Sequence, residues 1–149
     1  MAIVVPNEAE RNILKLILET NLNVGSIPEG DMYIHLYTSE SLILGESTTL
    51  VDLKAAEITE AQYPELITER VITSTDWGYA NSTDGIATAA EKVLILRNDS
   101  DPFFIHGYFI TKGVDIASGV LMWAESFPAP FSIPNGGSTL KLTLRLELD

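Results

Sequence analysis

The stretch from Thr139 to Asp149 constrains the fold most strongly, because it alternates apolar and polar residues almost without a break. Leu140, Leu142, Leu144, Leu146 and Leu148 fall on one side; Thr139, Lys141, Thr143, Arg145 and Glu147 fall on the other. A period of two is the period of a β-strand, so these leucines share one face and leave a wet face opposite. A strand this long and amphipathic needs an apolar sheet to lie against. The expected fold is therefore an all-β, two-sheet antiparallel sandwich of jelly-roll type, with one N-terminal α-helix.

The other strand signals agree with that class. Met32 to Thr38 sets Met32, Ile34 and Leu36 against Tyr33, His35 and Tyr37, and the bulk on both sides predicts a strand covered on both faces. Leu50 to Ala55 reads as a weak strand, and Arg70 to Ser74 as a short one. Ala61 to Glu69 is irregular around Pro64, and Asp76 to Gly85 reads as a long polar loop holding Trp77 and Tyr79. Glu91 to Arg97 sets Val93 and Ile95 against Leu94 and Leu96. Asn98 to Pro102 is a turn. Phe103 to Thr111 and Gly119 to Phe127 form a hairpin expected to reverse at Lys112-Gly113. Pro128, Pro130 and Pro134 are expected to break pairing until Asn135-Gly136-Gly137 turns the chain into the last strand.

At the other end, Asn7 can cap a helix and Glu10 completes a capping box. Ile13, Leu14, Ile17 and Leu18 then form one helical face. The chain of 149 residues is read as one domain, with an arm and helix over 1–22 and the sandwich over 31–149. The opening residues lack a basic stretch followed by a long apolar run, so no secretion signal is expected. Ile13 to Leu18 is interrupted by Lys15 and too short to span a membrane.

Composition narrows the function classes. Nine Lys and Arg against 21 Asp and Glu give a net charge of -12. Phosphate contacts need clustered cations, so neither nucleic acid nor an anionic membrane is an expected partner. The chain has no Cys, which excludes a disulfide framework and a thiolate metal site.

No catalytic constellation stands out, and no cofactor is expected. The only histidines, His35 and His106, lie inside strands, and neither has a second His two residues away as a cupin-like metal site would. Each reads as a surface or half-buried strand residue. There is no Gly-x-Ser-x-Gly elbow and no Gly-rich phosphate loop. Asn98-Asp99-Ser100-Asp101 has alternating oxygen ligands but lacks the glycine and closing glutamate of a calcium loop. Aromatic residues gather in the last third, and most belong to the core. Trp77 and Tyr79, with Phe127 and Phe131, are the candidates for a subunit or partner interface, since buried aromatic anchors dominate such contacts.

The series Val93-Leu94-Ile95-Leu96, Ile105-His106-Gly107-Tyr108-Phe109-Ile110, Gly119 through Phe127 and Asn135-Gly136-Gly137-Ser138-Thr139-Leu140 resembles small virion proteins of tailed bacteriophages. Those proteins carry a GYF strand, a hydrophobic-W-A/S-E-x-F strand and an NGG or NGD turn before an amphipathic final strand. Tyr33-Ile34-His35-Leu36-Tyr37-Thr38-Ser39 stands where they usually read L-x-L-Y-x-N. The resemblance implies a structural protein without an active site. The first expectation is a capsid decoration, or cement, protein that binds the shell as a homo-oligomer, a trimer at a three-fold position. Its partners would be the major capsid protein or other virion proteins, and its place the virion, assembled in the host cytoplasm. A tail or baseplate accessory protein is the structural alternative. A cupin-like metalloenzyme or sugar-binding module is the alternative of a different class.

Overall fold

The computed structural model describes residues 18, 30–39, 41–45, 47–79 and 85–148. Nine strands lie among them: β1 Asp31–Tyr37, β2 Val71–Ile72, β3 Trp77–Tyr79, β4 Gly85–Ala89, β5 Lys92–Leu96, β6 Phe103–Gly113, β7 Val120–Ile133, β8 Ser138–Leu142 and β9 Arg145–Leu148. An α-helix, α1, spans Leu50–Ala55. The first sheet has the order β2-β1-β6-β7, with every described pairing antiparallel.

The second layer is a long kinked ribbon. β4 pairs with β9 and β5 with β8, while β3 flanks β4. The Ala89 N–H donates to the Leu144 carbonyl at 2.8 Å and bridges the two halves. Between the pairs Thr88↔Arg145 and Lys92↔Leu142, Ala89, Ala90 and Glu91 face only Thr143 and Leu144. That extra residue is a β-bulge, which bends the ribbon and reverses which residues point inward. Ala87 and Ala89 are buried before it, Leu94 and Leu96 after it. The partner strand has no insertion, so Leu140, Leu142 and Leu144 are buried in unbroken alternation and Leu146 packs against them.

The main core lies between the layers. Met32, Ile34, Leu36, Ile105 and Ile110 from the first sheet meet Trp77, Leu94, Leu96, Leu140, Leu142 and Leu144 from the ribbon. The antiparallel sandwich follows from these faces. A second, smaller core covers the other face of the first sheet, where Tyr37 and Phe109 pack with Leu53 of α1 and with Leu42, Leu44, Leu50 and Leu121. β1 is accordingly covered on both sides, as its doubled bulk predicts.

Four readings are corrected. Leu50 to Ala55 is a helix, because Thr49 and Asp52 form a capping box: the Thr49 hydroxyl accepts from the Asp52 N–H, and the Asp52 carboxylate accepts from the Thr49 N–H. The loop expected from Asp76 is interrupted by β3, whose Trp77 pairs with Ala89 and lies in the core. The hairpin does not reverse at Lys112-Gly113, which are both buried within β6. It reverses over 114–119, where the Asp115 carboxylate accepts from the N–H groups of Ala117 and Ser118. Pro128 and Pro130 do not end pairing: β7 is a sheet edge, and the chain bulges between Ser126 and Phe131 before Phe131, Ser132 and Ile133 pair with β6 again. Proline is tolerated at an edge or a bulge because no ladder N–H is lost there.

The Asn135-Gly136-Gly137 turn is as expected, with Gly136 and Gly137 at φ of 95° and 84°. A side chain on Gly137 would strike the Leu96 carbonyl. The last strand is two segments, β8 and β9, separated at Thr143-Leu144 opposite the bulge. The helix expected near the N-terminus lies outside the described residues except for Leu18, which is helical and fully buried.

Leu144 is 1% exposed at the centre of the ribbon's inner face. Leu144→Ala should lower unfolding stability by about 2–5 kcal/mol in a denaturant titration. Ile95→Ala, on the outer face, should stay within about 0.5 kcal/mol of wild type. Equal losses at the two positions would contradict the assignment of faces.

Candidate functional site

β2 pairs with β1 only at Met32 and Tyr33, so the rest of that edge of β1 must find other partners. Polar groups from residues 54–70 supply them. The Ile58 N–H donates to the Leu36 carbonyl and the Thr38 N–H to the Ala56 carbonyl. The Leu36 N–H donates to the Tyr63 hydroxyl at 2.8 Å, and Arg70 Nε to the Ile34 carbonyl at 3.0 Å.

Glu57 is the centre of this cluster. Its Oε1 accepts from His35 Nδ1 at 2.6 Å and from the Tyr63 hydroxyl at 2.7 Å. Arg70 Nη2 stands 3.5 Å from the same oxygen, and Lys54 Nζ lies 3.1 Å from Oε2. The guanidinium of Arg70 lies over the Tyr63 ring, 3.4 Å from its centre, and also pairs with Glu60. The His35 ring stacks on Phe109 at 4.6 Å, and Thr111 Oγ1 is 2.9 Å from His35 Nε2. Glu57 and Glu60 together balance Arg70 and Lys54.

Burial alone would raise the Glu57 pKa, but the hydrogen bonds and charges of His35, Tyr63 and Lys54 outweigh it and hold the group at about 2. Burial lowers the pKa of His35, and the nearby Lys54 and Arg70 charges add to that against the pull of Glu57. Burial and the adjacent Glu57 raise the Tyr63 hydroxyl, which keeps its proton. At neutral pH the imidazole is uncharged, with Nδ1–H donating to Glu57 and Nε2 accepting from the Thr111 hydroxyl.

Thr111, His35 and Glu57 thus stand in the order hydroxyl, imidazole, carboxylate, the order of a nucleophile relay. Access decides against that use. Thr111 and His35 are each 1% exposed. Every polar atom of the imidazole is already engaged. The arrangement can fix the loop to the sheet, and the hydroxyl at its end is buried among the described residues.

His35 is therefore fully buried, a correction to the surface or half-buried reading; His106 is half-buried on β6. Among the described residues no three His, Asp or Glu are grouped to hold a metal ion, and no helix is long and apolar enough to cross a membrane. Asn98 forms a turn: its Oδ1 accepts from the Ser100 N–H, and its amide donates to the Asp101 and Ile133 carbonyls. A polar hollow of about 510 Å³ is bounded by Thr59, Gln62, Arg97 and Asn98 among others. Its Arg97 is engaged with the Tyr63 and Glu60 carbonyls.

The candidate interface aromatics are not gathered into one exposed patch. Trp77 is buried, 6.2 Å from Trp123, and its indole N–H has no acceptor among the described residues. Tyr79 ends β3 opposite Ala87. Phe127 is half-buried, 6.1 Å from Tyr108, and Phe131 is half-buried opposite Ile105. Exposed apolar side chains lie elsewhere, with Leu66 and Ile95 sharing one hollow. Val93-Leu94-Ile95-Leu96 signals this in the sequence, being apolar on both faces of one strand.

Compared with known proteins, the chain matches no family model, no curated protein and no solved structure.

The cluster sets the acid limb of stability. His35 titrates lower in the folded chain than its ordinary 6.5, so stability present above that value falls as the unfolded chain takes up the proton first. Glu57 adds stability that is present above 4.5 and lost as pH falls towards about 2. Glu57→Gln leaves Lys54 and buried Arg70 undercompensated and should cost about 3 kcal/mol or more at neutral pH. It should also flatten unfolding stability between pH 4.5 and about 2, measured by denaturant titration across pH. An unchanged acid limb in the variant would contradict this role for Glu57.

Proposed function

We propose that this chain is a structural protein of a tailed-phage virion, a capsid decoration protein that binds and stabilises the shell as a closed homo-oligomer. The reading rests on the likeness of the β5 to β8 segments to small virion proteins. One structural observation carries it further: the most hydroxyl- and imidazole-rich cluster is sealed inside the fold, while apolar side chains are presented on the outside of the ribbon. A binding protein needs such an outer surface, and a lattice of shell subunits supplies avidity to a modest individual contact. The charge of -12 suits a partner surface rich in Lys and Arg and keeps free copies soluble.

A mass-spectrometric inventory of purified virions tests this. The expected result is the chain present at a stoichiometry comparable with the major shell protein, with purified chain rebinding to undecorated capsids and ignoring DNA. A handful of copies per particle, with binding to tails alone, would replace decoration with a tail role. Absence from the particle would reject both.

A further inference from the structure

The Asn135-Gly136 pair carries a reactivity that its role as a turn does not use. It is the one Asn-Gly pair in the sequence, and both residues are exposed. Glycine leaves its own backbone nitrogen unhindered, and that nitrogen can attack the side-chain amide carbon of the preceding asparagine. Two carbonyls of the turn after β5 oppose this. The Gly136 N–H donates to the Asn98 carbonyl at 2.7 Å, and the Asn135 side-chain amide donates to the Ser100 carbonyl at 3.0 Å. The attacking nitrogen and the amide it must reach are thus each tied to a different residue of a neighbouring turn. The Gly137 N–H closes the Asn-Gly turn itself on the Pro134 carbonyl at 3.0 Å.

We propose that Asn135 is a site of spontaneous deamidation whose rate is set by the hydrogen bonds that tie Asn135 and Gly136 to the 98–100 turn. In the reaction hydroxide takes the proton of the Gly136 nitrogen, which attacks Asn135 Cγ. A carbon–nitrogen bond forms and the bond to the side-chain nitrogen breaks. That nitrogen takes a proton from water and leaves as ammonia, which regenerates the hydroxide. Water then opens the five-membered imide at either carbonyl. One opening gives aspartate at 135; the other gives isoaspartate, whose main chain is one carbon longer. Nothing is oxidised or reduced.

The fold controls the first step. The Gly136 proton lies in a hydrogen bond to Asn98, so hydroxide reaches it only when the turn opens, the event that also governs amide hydrogen exchange. The Asn98 side chain, 8% exposed, holds the gate in shape: it accepts from the Ser100 N–H and donates to the Asp101 and Ile133 carbonyls. The products suit the turn less well than asparagine does. Aspartate at 135 loses the donor to Ser100 and adds a negative charge against the turn that holds Asp99 and Asp101. Isoaspartate lengthens the chain just before Gly137, which already lies so close to β5 that a Cβ would strike the Leu96 carbonyl. The modification therefore loosens the junction of β7 with β8, and it runs one way.

Peptide mapping of the full chain, held in mildly alkaline buffer and sampled over time, tests the proposal. It reads the mass gain and the isoaspartate at position 135, in folded chain and in chain unfolded by guanidinium at the same pH. The folded chain should convert at least about tenfold more slowly. Asn98→Ala should speed both conversion and Gly136 hydrogen exchange in the folded chain, each by about threefold or more. Asn135→Asp should lower the unfolding midpoint. Equal rates in folded and unfolded chain overturn the proposal. So does a folded Asn98→Ala chain that converts at the wild-type rate, or an Asn135→Asp midpoint equal to wild type. If Asn98→Ala fails to fold, Gly136 hydrogen exchange in the wild type takes its place: protection well above the unfolded chain supports the gate, and none overturns it.

Discussion

The carboxylate of Glu57 is the interaction on which the first sheet depends. β2 covers β1 at two residues only, and beyond them β1 would present bare carbonyls and N–H groups next to the core. An open edge of that kind invites pairing with other chains, and buried unpaired backbone groups are costly. Here the edge is closed by side chains as well as backbone: Arg70 on Ile34, and Tyr63 on Leu36. Arg70 is 2% exposed, and a cation so buried is tolerated only beside a fixed anion. Glu57 supplies it, and through Lys54 at the end of α1 it also anchors the helix that covers the second core.

The sequence carries the strands whose neighbours are regular. The leucines of β8 and the opposed bulk of β1 are legible because each strand keeps its alternation and meets an apolar surface. Legibility fails where tertiary context overrides a local rule. α1 has six residues, too few for a helical period to emerge, and only Thr49 and Asp52 announce it. In Gly85 to Ala89 the buried positions are the alanines Ala87 and Ala89, too small to mark an apolar face, and the bulge beside it reverses the inward parity between Ala89 and Leu94, so no single alternation spans β4 and β5. The prolines of β7 read as breakers because nothing local marks that strand as an edge. The Glu57 cluster was invisible for a related reason. His35 lies on a strand, Glu57 and Tyr63 in the segment after α1, Arg70 at the end of a 3-10 helix over Ile67–Arg70, and Thr111 is 76 residues from His35, so no spacing rule unites them.

The two faces of the molecule divide the work. Inside, the Thr111 hydroxyl, the His35 imidazole and the Glu57 carboxylate satisfy one another. Outside, β5 places valine and isoleucine between opposite charges. A fold that spends its polar chemistry on closing a sheet edge, and keeps apolar surface for contact, suits a protein whose task is attachment. The decoration role proposed above draws on that division.

The protonation state of His35 tests the central role of Glu57 most directly. Nitrogen-15 chemical shifts of the imidazole across a pH titration report both tautomer and pKa. The cluster predicts a neutral ring at neutral pH with the proton on Nδ1, and a titration below the ordinary value of 6.5. A ring protonated on Nε2, or one that titrates at or above 6.5, would contradict it.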